Sequence, residues 1–151
     1  MRDDTAIDDR GLKSLMEDSK IGEVQRGKED MAKKVLICDD EPYVTESLSY
    51  LVKREGYQVI TAEDGEDGFN KAKEILPDLI FLDVMMPKKS GFEVCQQLKK
   101  DERTKGIYII ILTARGEEFD EKRAKEAGVD EYITKPFSPR KLSEKIHGIL
   151  G

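Results

Sequence analysis

The chain has 151 residues, with 26 bases against 32 acids and a formal net charge of −6. That length suits one domain, and an acidic balance argues against a general nucleic-acid binder, which needs a basic face. A single histidine excludes zinc sites that require two, and Cys38 and Cys95 form no C-x-x-C pair.

Residues 1–30 carry six bases and nine acids among few apolar side chains. Leu12, Leu15, Met16 and Val24 outline one short helical stripe, too weak to fold alone. The segment reads as a disordered N-terminal extension, with a docking helix for a partner as the alternative. Met31-Ala-Lys-Lys-Val resembles a start of translation, so an upstream extension and a misplaced start codon both stay open. Residues 31–151 are then the folded domain. The first 30 residues hold no apolar signal region, and the longest apolar run, Ile107 to Leu112, cannot span a bilayer. The expectation is a cytoplasmic protein with reduced thiols and no membrane contact.

From Lys34 onward, β-branched runs alternate with stretches of helical spacing. Val35–Cys38 predicts the first strand. Val44, Leu48, Leu51 and Val52 predict a helix that starts at Pro42 and ends near Gly56. Gln58–Ala62 is the second strand. Phe69, Ala72, Ile75 and Leu76 mark a second helix, stopped by Pro77. Leu79–Leu82 is the third strand, followed by a helix carrying Val94, Cys95 and Leu98. Tyr108–Leu112 is the fourth strand, and Ile107 to Leu112 is apolar nearly throughout, as a strand covered on both faces should be. Phe119, Arg123, Ala124 and Ala127 outline a short fourth helix before Gly128. Glu131–Thr134 is the last strand. Ser138-Pro139 then caps a helix with Leu142, Ile146, Ile149 and Leu150 on one face. Five strands alternating with five helices predict an α/β fold, a doubly wound parallel sheet with helices on both faces.

In such sheets the working site lies at the carboxyl ends of the strands. The first strand ends in Asp39-Asp40-Glu41, the third in Asp83, the fourth in Thr113-Ala114 and the fifth in Thr134-Lys135-Pro136. Three or four carboxylates therefore meet one hydroxyl and one ammonium at a common rim. Clustered carboxylates repel unless a cation neutralises them, and an oxygen-only set favours Mg²⁺ over Zn²⁺. A lysine and a threonine beside them suit phosphoryl oxygens, so the rim reads as a phosphate-handling site in which an aspartate could be the nucleophile. Each part alone would be an ordinary cap, turn or solvated charge. It is their convergence that carries the reading.

These residues resemble the receiver domain of two-component response regulators, in particular the single-domain chemotaxis type, over about Lys33 to Leu150. The pieces that carry the resemblance are Asp39-Asp40-Glu41, Asp83-Val-Met-Met-Pro87 with Gly91, Thr113-Ala114 and Lys135-Pro136-Phe137. The spacings of 43, 30 and 22 between Asp40, Asp83, Thr113 and Lys135 also fit. The resemblance implies a flavodoxin-like strand order 2-1-3-4-5. It implies Asp83 as phosphoacceptor from a phosphohistidine on a sensor kinase or phosphotransfer protein. It implies Mg²⁺ held by Asp40, Asp83 and the Met85 carbonyl, with Asp39 acting through a bound water. Thr113, the Ala114 backbone N–H and Lys135 would hold the phosphoryl group, and the Lys135-Pro136 bond would be cis. Thr113 would then move and Tyr132 turn inward, changing the face of the fourth helix, fifth strand and fifth helix. Met85 and Arg115 occupy positions that govern water access, which predicts a long-lived phosphoform.

Further expectations follow from the resemblance. The chain stops after the fifth helix, so a stand-alone receiver is expected, signalling through an unknown protein target and not through nucleic acid. A receiver excised from a longer regulator is the alternative. Lys141 replaces an acid used in the dimer contact of transcription-factor receivers, so the chain is expected to be a monomer or a weak, phosphorylation-dependent dimer. It is not expected to be an enzyme beyond its own phosphorylation and dephosphorylation. A phosphatase of the haloacid dehalogenase type would need D-x-D after the first strand, and Met85 stands where an acid would follow Asp83. A flavin module would need a Thr-, Ser- and Gly-rich first loop in place of Asp-Asp-Glu-Pro. A receiver-like module that binds partners without phosphorylation is the remaining rival. His147, Lys88-Lys89 and Lys99-Lys100 are read as solvated surface.

Overall fold

Strands whose residues are apolar on both faces must be covered on both faces, and alternate side chains of each strand then feed two separate cores. The computed structural model, which describes residues 32–114 and 120–151, has that arrangement. Its order is β1 (Lys34–Cys38), α1 (Pro42–Arg54), β2 (Gln58–Ala62), α2 (Gly65–Ile75), β3 (Leu79–Asp83), α3 (Gly91–Lys100), β4 (Tyr108–Ala114), α4 (Glu121–Ala127), β5 (Glu131–Lys135) and α5 (Pro139–Leu150). All strand pairs are parallel and the sheet order is β2-β1-β3-β4-β5, as the resemblance implied.

Val35, Ile37, Leu79, Phe81, Ile110 and Leu112 point to one face, where α1 and α5 bring Val44, Leu48, Leu51, Val52, Leu142 and Ile146. Leu36, Cys38, Ile80, Leu82, Ile109 and Ile111 point to the other, against Ala72, Val94, Cys95, Leu98, Ala124 and Ala127 of α2, α3 and α4. Both cysteines are buried free thiols.

The helix ends follow local chemistry. Pro42 opens α1, where its missing N–H costs nothing. Ser90 and Glu93 form a reciprocal capping box at the start of α3. The Ser138 hydroxyl accepts from the Lys141 N–H at the start of α5. Gly128 ends α4 at a φ of 84°, a conformation in which a Cβ would be strained.

Three details differ from the sequence reading. Leu76 does not join the core stripe of α2. It is the left-handed residue that ends the helix, at φ 55°, and is 44% exposed, because Pro77 forbids another helical turn. Lys99 is not solvated: its ammonium donates to the carbonyls of Lys105 and Ile107 and to Asp130, fastening α3 to the turns before β4 and β5. His147 lies at the surface, yet it hydrogen-bonds the Tyr57 hydroxyl and Glu55, which joins α5 to the end of α1. Phe119, Arg115 and the expected extension over residues 1–30 lie outside the described residues. Among the described residues, no helix is long and apolar enough to cross a membrane.

Candidate functional site

The register of the sheet assembles the site. Cys38 pairs with Leu82, and Asp39 and Asp83 stand one step beyond that pair. Leu112 pairs with Asp83, which puts Thr113 one step further along the neighbouring strand, and Ala114 pairs with Lys135. Four strand ends thus deliver carboxylate, carboxylate, hydroxyl and ammonium to one rim.

The loop after Asp83 is folded tightly over α2 and α3. The Gly91 N–H donates to the Val84 carbonyl and the Gly65 N–H to the Pro87 carbonyl. A Cβ on Gly91 would lie 2.4 Å from the Asp83 carbonyl oxygen, so this approach requires glycine. The Met85 N–H turns back to the Asp83 carboxylate, while the Met85 side chain is exposed.

One oxygen each of Asp39, Asp40 and Asp83 lies within 4.8 Å of the others. Asp39 and Asp83 are buried and Asp40 is exposed. Burial pushes the Asp83 carboxyl up to about 7, helped by the charge of Asp39 and opposed by Lys135. Asp39 is also raised by burial, against the Glu41 N–H bond and Lys135. Protons or a cation must offset this cluster. The donor set is oxygen only, partly buried and open on the Asp40 side, which fits a hard divalent cation such as Mg²⁺.

Lys135 is the cationic member. Its Nζ lies 2.8 Å from Glu41 Oε1, 3.2 Å from Asp39 Oδ2 and 3.7 Å from Asp83 Oδ1. Burial opposes its charge, but the three acids outweigh burial and hold the ammonium above its usual range. The Lys135-Pro136 bond is cis. Thr113 is buried at the rim, and Ala114 is exposed beside Lys135. Tyr132 lies on β5 and is 46% exposed, away from the carboxylates in strand position.

The expected residues are therefore brought together, apart from Tyr132. Glu41 was missed as a partner of Lys135. Its place directly after Asp39-Asp40 at the same rim was the available signal.

A family model for the response regulator receiver domain matches residues 35–147. The alkaline phosphatase synthesis transcriptional regulatory protein PhoP of Bacillus subtilis is 48% identical over 120 residues, which cover 80% of this chain and 49% of the relative. The phosphate regulon transcriptional regulatory protein PhoB of Escherichia coli is 41% identical over 120 residues, covering 80% and 52%. The chain spans about half the length of these curated relatives. Among solved structures, chemotaxis protein CheY4 of Vibrio cholerae matches with a TM-score of 0.71 at 31% identity, over 79% of this chain and 99% of that one. A CheY-like receiver domain protein from Methanospirillum hungatei gives a TM-score of 0.72 at 30% identity, over 79% and 94%.

Proposed function

The chain belongs to the response regulator receiver domain family, and from that premise we propose that Asp83 accepts a phosphoryl group from a phosphohistidine donor. The donor is a sensor histidine kinase or a histidine phosphotransfer protein. A carboxylate oxygen of Asp83 forms the O–P bond as the P–N bond of the donor breaks, and the imidazole leaves with the electron pair. The observation that carries this reading is the buried Asp83 carboxylate, within reach of two further acids and of Lys135.

Asp40 and Asp83, with the Met85 carbonyl, are the proposed direct Mg²⁺ ligands. Asp39 acts through water, in keeping with its oxygens, which already accept from the Glu41 N–H and from Lys135. Mg²⁺ supplies charge neutralisation at the acidic cluster when bound. Thr113, the Ala114 N–H and Lys135 hold phosphoryl oxygens. Phosphorylation adds nearly two negative charges, draws Thr113 toward them and lets Tyr132 turn inward, so the α4–β5–α5 face changes. The exposed position of Tyr132 supports the unphosphorylated end of that two-state shift. The protein acts on no substrate but its own acyl phosphate, in the cytoplasm, and Met85 favours slow hydrolysis because its side chain cannot orient water.

Incubation with acetyl phosphate and Mg²⁺, read on a phosphate-affinity gel, tests the reading. A shifted band is expected in the wild type and none in Asp83→Asn. A shift retained in Asp83→Asn would reject Asp83 as the acceptor. No shift from acetyl phosphate or from a phosphorylated kinase would reject phosphorylation altogether.

A second reading, the receiver part of a longer transcriptional regulator, is favoured by the half-length coverage of PhoP and PhoB. The mass of the native gene product separates it from a stand-alone receiver acting through protein contact.

A further inference from the structure

We infer that Glu41 is a releasable tether for Lys135, holding the ammonium on the lip of the site until a phosphoryl group on Asp83 takes it over. The inference rests on the proposed roles of Asp83 and Lys135 and adds a positioning residue to them.

The distances rank the partners of Lys135. Glu41 is nearest at 2.8 Å, Asp39 follows at 3.2 Å, and Asp83 is last at 3.7 Å. The ammonium therefore sits closer to the lip than to the acceptor, and Glu41 is what draws it there. An ammonium has three protons to donate, and among the described residues Glu41 and Asp39 receive hydrogen bonds from it. A phosphoryl oxygen on Asp83, whose carboxylate is already 3.7 Å from Nζ, would compete with Glu41 for these protons.

Local structure leaves the Glu41 carboxylate free for this task. Glu41 is the N-cap residue of α1, yet its side chain makes no capping bond. Its backbone is held independently, by an N–H bond to Asp39 Oδ1. Pro42 follows it, so the first helical position has no N–H to be capped.

Release is cheap on the side of Glu41. Its side chain is 58% exposed, against 9% for Asp83, so water replaces the lysine more readily on Glu41 than on Asp83. A cavity of about 430 Å³ bounded by Glu41, Tyr43, Lys135 and Phe137 leaves room for the glutamate to swing away. A buried partner such as Asp39 could not exchange in this way.

The test uses the full chain, acetyl phosphate and Mg²⁺, and the initial rate of acyl phosphate formation. Glu41→Ala is expected to raise the rate about two- to fivefold, the range set by an ion pair of this exposure. Glu41→Gln, which keeps the acceptor oxygen and loses the charge, is expected to fall between wild type and Glu41→Ala. In a Lys135→Ala background the Glu41→Ala change is expected to do nothing. Where Lys135→Ala alone labels too slowly to read, the binding midpoint for beryllium trifluoride in Mg²⁺ gives the same comparison.

An unchanged rate in Glu41→Ala, with labelling still confined to Asp83, would overturn the tether and leave the acceptor assignment standing. An equal acceleration with and without Lys135 would also overturn it, since Glu41 would then act only as a negative charge at the mouth. Labelling that persists in Asp83→Asn would instead remove the reading on which the tether rests.

Discussion

The two flanks of the site are built differently. On one flank, β3 is buried at every position from Leu79 to Asp83, and β1 is buried from Val35 to Cys38. On the other, β5 is an edge strand whose residues alternate between half-buried and exposed. Asp39 and Asp83 thus issue from strands packed on both faces, whereas Lys135 and Tyr132 issue from a strand with neighbours on one side only. Asp39 and Asp83, which must keep a fixed geometry, stand on the first flank, and Lys135 and Tyr132, two of the groups that shift in the proposed switch, stand on the second. The proposed function uses both, a fixed acceptor with its ligand geometry and a lysine able to answer the phosphoryl group.

The largest expected effect compares one side chain from each flank. Phe81→Ala in β3 removes a side chain with no exposure and is expected to cost about 3–5 kcal/mol. Ile133→Ala in β5, where the residue is only partly buried, is expected to cost about 1–2 kcal/mol. Urea unfolding of both variants checks this, and equal losses would dissolve the contrast between the flanks.

Next in size is a pH effect confined to the fixed flank. The Asp83 carboxyl is pushed up to about 7 in the fold, from an ordinary value of 3.8. Between those values the folded protein keeps a proton that the unfolded chain has released. Its stability is therefore full below the lower value and falls as pH rises through the window. The slope for one proton is at most about 1.4 kcal/mol per pH unit. Asp83→Asn should flatten the metal-free profile and be the more stable form at pH 8. Mg²⁺ should raise the wild-type stability more at pH 8 than at pH 5, because protons compete for the same oxygens. Parallel profiles for the wild type and Asp83→Asn would refute the buried, proton-binding description of this carboxylate.

The smallest expected effect lies on the movable flank. Lys145 of α5 pairs with Glu131 at the start of β5 across a partly exposed contact. Lys145→Ala is expected to lower stability by about 0.2–1 kcal/mol, with the loss reduced in high salt. A loss as large as that of Phe81→Ala would mean that β5 is as firmly held as β3.

Much of this is readable in the sequence. Strand ends are set by local pattern, and parallel topology turns strand ends into a rim, so Asp39, Asp83, Thr113 and Lys135 could be gathered on paper. Caps such as Ser138 were readable because they depend on neighbours three residues away. Partner choice over long separations was not. Lys135 meets Glu41 across 94 residues, and the contact depends on how two long side chains lie across the lip. Lys99 looked like one of many surface lysines, yet it finds two carbonyls and Asp130 that only the packed turns bring near. Leu76 read as core because its spacing was right, and the left-handed turn before Pro77 took it out to solvent.

The central place of β3 also sets a timescale. Its amides are covered by β1 and β4 on both edges, so they are expected to exchange with solvent mainly through openings that approach complete unfolding, while the edge strands β2 and β5 are expected to open more readily. Asp83 terminates that central strand. In the proposed function the phosphoryl group would therefore be planted on the most enclosed strand of the sheet, and the switch would cycle on the edge-strand flank while its foundation stays closed.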